Sequence, residues 1–344
     1  MRVEISSDLF SGDMGAEDVD RVFKLISLFR ESRHEWQLSP LECEAVDRFF
    51  RVNFPSLAPV YQEVAAKSSA AGVWLPTRNA AEVVRVTGDT LLDDVLDLGR
   101  PAVLVVENAI YDWQMIEAIA RILGFEDIIE AKEFFRLEIY NGGGKHGASV
   151  HAVEQAGKFA RTKRVVLVLD GDSYHPDEPS PNFGYGAAVV REGGDSHVLI
   201  FREMENYIPN RVLARQPKIA NLQAKQSKRL DSLKRLSVEQ RAYFDMKNGF
   251  RGKGKNPPSF SERKPRHAHG SRGAYSINPR HLDLYANVAE SDLIILREGF
   301  GVELPGLFLR EVKLGGVIEK DLESLGPGAS RELRSMLEKI RSVI

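Results

Sequence analysis

Cysteine is almost missing: Cys43 is the only one in 344 residues. That excludes an intrachain disulfide and any metal site built from several cysteines. No apolar run approaches the length of a membrane span, and Met1-Arg2-Val3-Glu4-Ile5-Ser6-Ser7-Asp8 lacks the apolar core of a signal peptide. The expectation is a cytoplasmic protein with no membrane partner. A phosphate loop is missing too. No G-x-x-x-x-G-K-[ST] occurs, and Asn141-Gly142-Gly143-Gly144-Lys145-His146 has neither the spacing nor the hydroxyl after lysine. There is no internal repeat and no heptad run.

Charge is scarce only in sum. The net charge is -2, yet Asn210 to Gly273 holds seventeen Lys or Arg against four Asp or Glu, an excess of +13, so the remainder carries -15. Such segregation points to a polyanion partner, with the basic part meeting phosphate and the acidic part holding metal. The plainer reading is a solvated basic helix and a loose loop.

Residues 1–98 read as mainly helical: Asp18 to Arg30, a helix from the Ser39-Pro40-Leu41-Glu42 start to Pro55, and Leu57 to Ala71. Asp89 to Leu98 is a short amphipathic helix before Gly99-Arg100-Pro101, a boundary signal. Residues 99–210 read as α/β, with four apolar runs: Val103 to Val106, Arg136 to Tyr140, Val165 to Leu169 and Val198 to Phe201. Helices are expected over Asp112 to Leu123 (ended by Gly124), His146 to Ala160 and Gly184 to Arg191. Short β-branched runs alternating with helices indicate a parallel sheet with crossover helices. Residues 211–344 read as mainly helical and basic, with Ser237 and Gln240 forming a capping box. A Gly-, Pro- and Ser-rich loop at about 249–273 has too few apolar anchors to bury much surface.

Acids recur where these strands end, which is where such sheets place ligands. Glu107 follows the first run, with Asp112 five residues on. Asp170-Gly171-Asp172 follows the third, and Glu203-Met204-Glu205-Asn206-Tyr207 the fourth. In extended chain Asp170 and Asp172 point the same way, and the glycine between them removes a side chain that would crowd the site.

Glu107, the glycines 142–144 and Asp170-Gly171-Asp172 together resemble the TOPRIM domain of topoisomerases, primases and a group of nucleases. Glu203 to Tyr207 further resembles the Glu-Ile-Glu-Asn-Tyr segment of overcoming-lysogenization-defect (OLD) family nucleases and related phage-defence effectors. The likeness covers roughly Pro101 to Pro209. Asn108 stands where many TOPRIM domains have glycine, and the ATPase domain usual in the OLD family has no counterpart. The resemblance implies a nuclease that acts without ATP or takes a separate ATPase or regulatory protein as partner, with an antiviral role.

The ligand set implied is Glu107, Asp112, Asp170, Asp172, Glu203 and Glu205. Hard oxygens without Cys or ordered His select one or two Mg²⁺ or Mn²⁺ ions. Glu107, Asp170 and Asp172 would hold one metal region, and Glu205 with Glu203 the other. Lys145, at the mouth of the glycine loop, would hold the scissile phosphate, or is a solvated loop lysine. Arg251, Lys253, Lys255, Arg263, Lys264, Arg266 and Arg272 would follow a DNA or RNA backbone. Phe260 and Tyr275 would stack on bases or act as anchors, and His267 and His269 suggest little metal binding. Two other readings stay open. One is a haloacid dehalogenase-type phosphatase with Asp170 as nucleophile; the other is a non-catalytic adaptor binding nucleic acid or a partner protein. Should Glu107 and the Asp170/Asp172 pair lie on opposite edges, or be tied up in salt bridges with lysines, the cleavage reading collapses.

Overall fold

The computed structural model describes residues 1–10, 14–74, 83–216, 223–250 and 279–344. The chain is α/β with two small parallel sheets and many helices. The first sheet has the order β2-β1-β3, from β1 (Arg2–Ile5), β2 (Glu35–Gln37) and β3 (Val84–Val86), all parallel. Its helices are α1 (Ala16–Arg30), α2 (Pro40–Asn53), α3 (Ala58–Trp74) and α4 (Leu91–Gly99). Ser39 caps α2, with its N–H donating to Glu42 Oε2 at 2.7 Å. This sheet is absent from the sequence expectation for residues 1–98. Three strands of three or four residues are too short for period-2 alternation to stand out, though Val3 and Ile5 are buried and Arg2 and Glu4 are not.

The second sheet is β5-β4-β6-β7, also all parallel, from β4 (Ala102–Val106), β5 (Leu137–Asn141), β6 (Val165–Leu169) and β7 (Asp195–Val198). Every residue of β4 and β6 is buried, as helices on both faces require. Ala102, Leu104, Val106, Val166 and Val168 pack into one core with α5 (Tyr111–Leu123) and α6 (Glu126–Glu133). Val103, Val105, Val165, Leu167 and Leu169 pack the other way, against α7 (Lys145–Ala156) and α8 (Phe183–Arg191). Gly124 closes α5 at φ 75, the left-handed conformation glycine adopts without strain.

β7 corrects the expected fourth strand, Val198 to Phe201. Its polar residues pair with β6 from Val166↔Asp195 to Leu169↔Val198. This edge strand is held by the C-terminal part of the chain. Lys339 Nζ donates to Asp195 Oδ1 at 2.8 Å and to the Ser196 carbonyl at 2.6 Å. Tertiary partners outweigh the apolar pattern here.

The remaining helices are α9 (Asn210–Leu213), α10 (Gln223–Arg235), α11 (Val238–Ala242), α12 (Pro279–Leu284), α13 (Glu290–Ile295), α14 (Leu304–Lys313), α15 (Glu319–Glu323) and α16 (Ala329–Val343). Ser237 and Gln240 form the reciprocal capping box of α11, at 2.9 and 3.1 Å. α14 packs on α5, and α16 runs under the sheet.

The N-terminal unit joins at the amino ends of the strands. Buried Arg164, just before β6, donates to the carbonyls of Arg100 (2.6 Å), Val343 (2.8 Å) and Leu98 (3.3 Å). The Asp97 carboxylate accepts N–H bonds from Ala160, Arg161 and Thr162 at 2.7–2.9 Å. The carboxyl rim of the sheet is therefore left to the C-terminal helices. No helix among the described residues is long and apolar enough to cross a membrane.

Candidate metal and phosphate site

Glu107 leaves β4 at the rim. Its Oε1 is buried without a partner. Burial raises its pKa, the nearby Asp172 charge adds to this, and Lys145 opposes it. Asn108 takes the place of the glycine of the resemblance and starts α5. Its Oδ1 accepts from the N–H groups of Ile110 and Tyr111 at 3.1 Å each, and its own N–H donates to Asp112 Oδ2 at 2.8 Å. Asp112 is thus held by the helix start and aimed toward Glu205 and Glu107. Burial, with the charge of Glu205, pushes its pKa up to about 7 against the Asn108 bond.

The glycine turn packs on Glu107. Gly143 N–H donates to the Glu107 carbonyl at 3.2 Å, and a Cβ at Gly142 would stand 2.3 Å from that of Ala148. Gly143 and Gly144 have φ of 64 and 111. This tight turn delivers Lys145 as the first residue of α7. Its ammonium meets Asp172 Oδ2 at 2.8 Å. Burial works against the Lys145 charge, but Asp172 and Glu107 hold its pKa above the ordinary lysine value.

Asp170 and Asp172 do not point the same way. Asp172 has φ 53, so the chain turns between them and the extended i, i+2 geometry does not form. Gly171 has a different role from the one expected: its Cβ would lie 2.3 Å from the Phe201 carbonyl and 2.6 Å from that of Leu199. Glycine is needed because two backbones touch. Asp172 faces Lys145 and Asn182, whose Nδ2 donates to Asp172 Oδ2 at 3.0 Å and to the Asp170 carbonyl at 2.8 Å. Asp170 turns to the other side, with Oδ1 accepting the Met204 N–H at 2.8 Å. Its pKa is raised well above the carboxylate range by burial and by the charges of Glu205, Asp112 and Glu203.

Glu203 to Tyr207 is built to hold that contact. Met204–Tyr207 is a short 3-10 helix. Asn206 Oδ1 accepts the Glu203 N–H at 2.9 Å, while its Nδ2 donates to the carbonyls of Arg241 and Phe244 at 2.8 and 2.9 Å. Tyr207 is buried, stacked on Phe201 at 4.4 Å, with its hydroxyl between the Phe201 N–H and Glu332. Glu203 and Glu205 are buried, and Oε2 of each lacks a partner. Burial and Asp245 push Glu203 up to about 8.

Lys247 enters this pocket from the loop after α11, a residue that sequence reasoning missed. Its Nζ lies 3.2 Å from Glu205 Oε1. Burial disfavours its charge, yet Glu205, Glu203 and Asp170 raise its pKa well above the ordinary lysine value. The loop is pinned from behind: Phe300 N–H donates to the Met246 carbonyl at 2.7 Å, and a Cβ at Gly299 would strike the Lys247 carbonyl at 2.3 Å.

All six predicted acids thus converge on one rim, in two groups. Asp172 and Lys145 lie toward the glycine turn; Asp170, Asp112, Glu203, Glu205 and Lys247 lie toward the C-terminal helices; Glu107 is within electrostatic reach of both. Among the described residues no three His, Cys, Asp or Glu side chains already stand as a metal ligand set. Arg251, Lys253, Lys255, Arg263, Lys264, Arg266, Arg272, Phe260, Tyr275, His267 and His269, and most of the loop at about 249–273, lie outside the described residues. The described residues on either side, Phe250 and His281, have ring centroids 6.0 Å apart, beside the rim. No protein-family model, curated protein or solved structure matches the chain.

Proposed function

We propose that this chain is a divalent-metal-dependent nuclease that hydrolyses nucleic-acid phosphodiesters at a TOPRIM-like acidic rim. The observation that carries this reading is the set of buried carboxylate oxygens without partners, Glu107 Oε1, Glu203 Oε2 and Glu205 Oε2. Such oxygens are costly to bury unless a cation satisfies them. The donor set is all oxygen, which fits Mg²⁺ or Mn²⁺ and disfavours zinc. Glu107, Asp112, Asp170, Glu203 and Glu205 would hold the ions, with Asp172 toward the glycine turn. Bound there, the ions would supply Lewis-acid charge stabilisation and lower the pKa of attacking water.

The chain's own groups do the rest. Asp170 is fixed by the Met204 N–H, so its carboxylate is preorganised. Lys145, at the N-terminus of α7, places an ammonium beside glycine N–H groups, a setting suited to a phosphate oxygen. Its bond to Asp172 is one it exchanges for phosphate. The basic segment after Phe250 supplies backbone affinity that falls steeply with salt. A defence role, with a separate ATPase or regulator, accords with the resemblance of Glu203 to Tyr207.

The test is cleavage of DNA and RNA in Mg²⁺ and Mn²⁺. Asp170→Asn and Glu205→Gln should each lower the rate at least about a hundredfold, as loss of preorganised charge stabilisation does. Variants that cut as fast as the parent would end the proposal. The ion pairs Lys145–Asp172 and Lys247–Glu205 favour a second reading, a non-catalytic adaptor, which binding without cleavage under every divalent ion would support. Turnover of a small phosphate monoester would instead favour the phosphatase.

A further inference from the structure

Tyr174 lies two residues beyond Asp172, on the lip of the acidic rim. The Asp172 N–H donates to the Arg202 carbonyl at 2.8 Å, so the turn carrying Tyr174 is stitched to the stretch carrying Glu203 and Glu205. One face of the Tyr174 ring is covered by the Arg202 guanidinium, 4.3 Å from the centroid. The ring also packs near-perpendicular to that of His281, with centroids 5.3 Å apart at 70°. Arg202 is itself oriented by Asp245, at 3.6 Å, whose charge is also felt by Glu203. Behind this layer, Phe250 and Tyr285 are buried, but Tyr174 keeps 38% of its surface exposed. The ring is thus packed against Arg202 and His281 while more than a third of the residue stays exposed.

We propose that Tyr174 is a stacking platform for an unpaired nucleobase next to the scissile phosphate, so that the substrate is single-stranded or locally unpaired nucleic acid. This rests on the nuclease reading of the adjacent acids. A flat aromatic face stacks on any base without reading its edge. A base inside a duplex has both faces occupied by its neighbours and offers none to the ring. The Arg202 guanidinium holds the ring by a cation–π contact and leaves the exposed part of Tyr174 for the base.

The test uses the full chain with short DNA and RNA oligonucleotides carrying one 2-aminopurine, single-stranded or in duplex, in EDTA and again with Ca²⁺. The parent, Tyr174→Phe and Tyr174→Trp should quench the fluorophore and prefer single strands. Tyr174→Leu, which keeps apolar cover over Arg202 but has no aromatic face, should lose quenching and bind single strands about tenfold more weakly, with duplex binding unchanged. Equal binding by Tyr174→Leu, equal loss on both substrates, or no oligonucleotide binding by the parent would overturn the proposal. Tyr174-dependent binding without cleavage in Mn²⁺ would keep the platform and remove the nuclease reading. Cleavage with Tyr174-independent binding would do the reverse.

Discussion

Glu205 and Lys247 meet at 3.2 Å inside a pocket that also feels Glu203 and Asp170. One ammonium therefore faces an excess of carboxylate. Removing it with Lys247→Ala leaves the buried Glu205 without its ammonium partner, at a cost of about 3 kcal/mol in a buried setting. Thermal unfolding in EDTA should register that loss. Mn²⁺ should then raise the melting temperature of Lys247→Ala by more than that of the parent. An equal shift in the two would mean that ion and ammonium do not share the pocket.

Asn182 holds the turn that separates Asp172 from Asp170. Asn182→Ala deletes the donor to the Asp170 carbonyl and to Asp172 Oδ2, which costs about 1–3 kcal/mol where acceptors are left buried. Cleavage should fall with little change in oligonucleotide affinity. Chemical denaturation and a split of kcat from KM check both parts.

Tyr207 has an enclosed hydroxyl, bonded to Glu332 and the Phe201 N–H. It is a packing residue and not a nucleophile. Tyr207→Phe should lose about 1–2 kcal/mol and still cleave, with no protein–nucleic acid adduct trapped by either chain on denaturing gels.

His34 gives the fold an acid limit. It is buried in the N-terminal unit, its Nε2–H donating to the Leu98 carbonyl at 2.9 Å. Burial, then Arg164 and the N-terminal ammonium, lowers its pKa to about 2. The unfolded chain thus binds a proton below pH 6.5 that the fold refuses, and stability falls as pH drops. By pH 4.5 the loss is about 3 kcal/mol. Denaturant midpoints measured from pH 7.5 to 4.5 should fall less for His34→Gln than for the parent. Parallel slopes would remove His34 from the account.

The central sheet was legible because β4 and β6 are buried on both faces and so written as unbroken apolar runs, while Gly124 and the capping residues Ser39 and Ser237 mark helix ends through local chemistry. The six acids were legible because they follow those runs. The rest depends on contacts between distant parts of the chain. β7 is polar, pairs with β6 and is held from outside by Lys339. Asp172 leaves the extended conformation at a turn held by Asn182 and the Arg202 carbonyl, both distant in sequence from its strand. Lys247 is one basic residue among many until the loop pinned by Phe300 and Gly299 folds it into the pocket.

A crystal soaked in Mn²⁺ and measured at the manganese edge tests the central claim most directly. The account predicts one or two anomalous peaks within coordination distance of carboxylate oxygens among Glu107, Asp170 and Glu205, with the Lys247 ammonium moved off Glu205. A pocket without anomalous density, with Lys247 still bonded to Glu205, would contradict it.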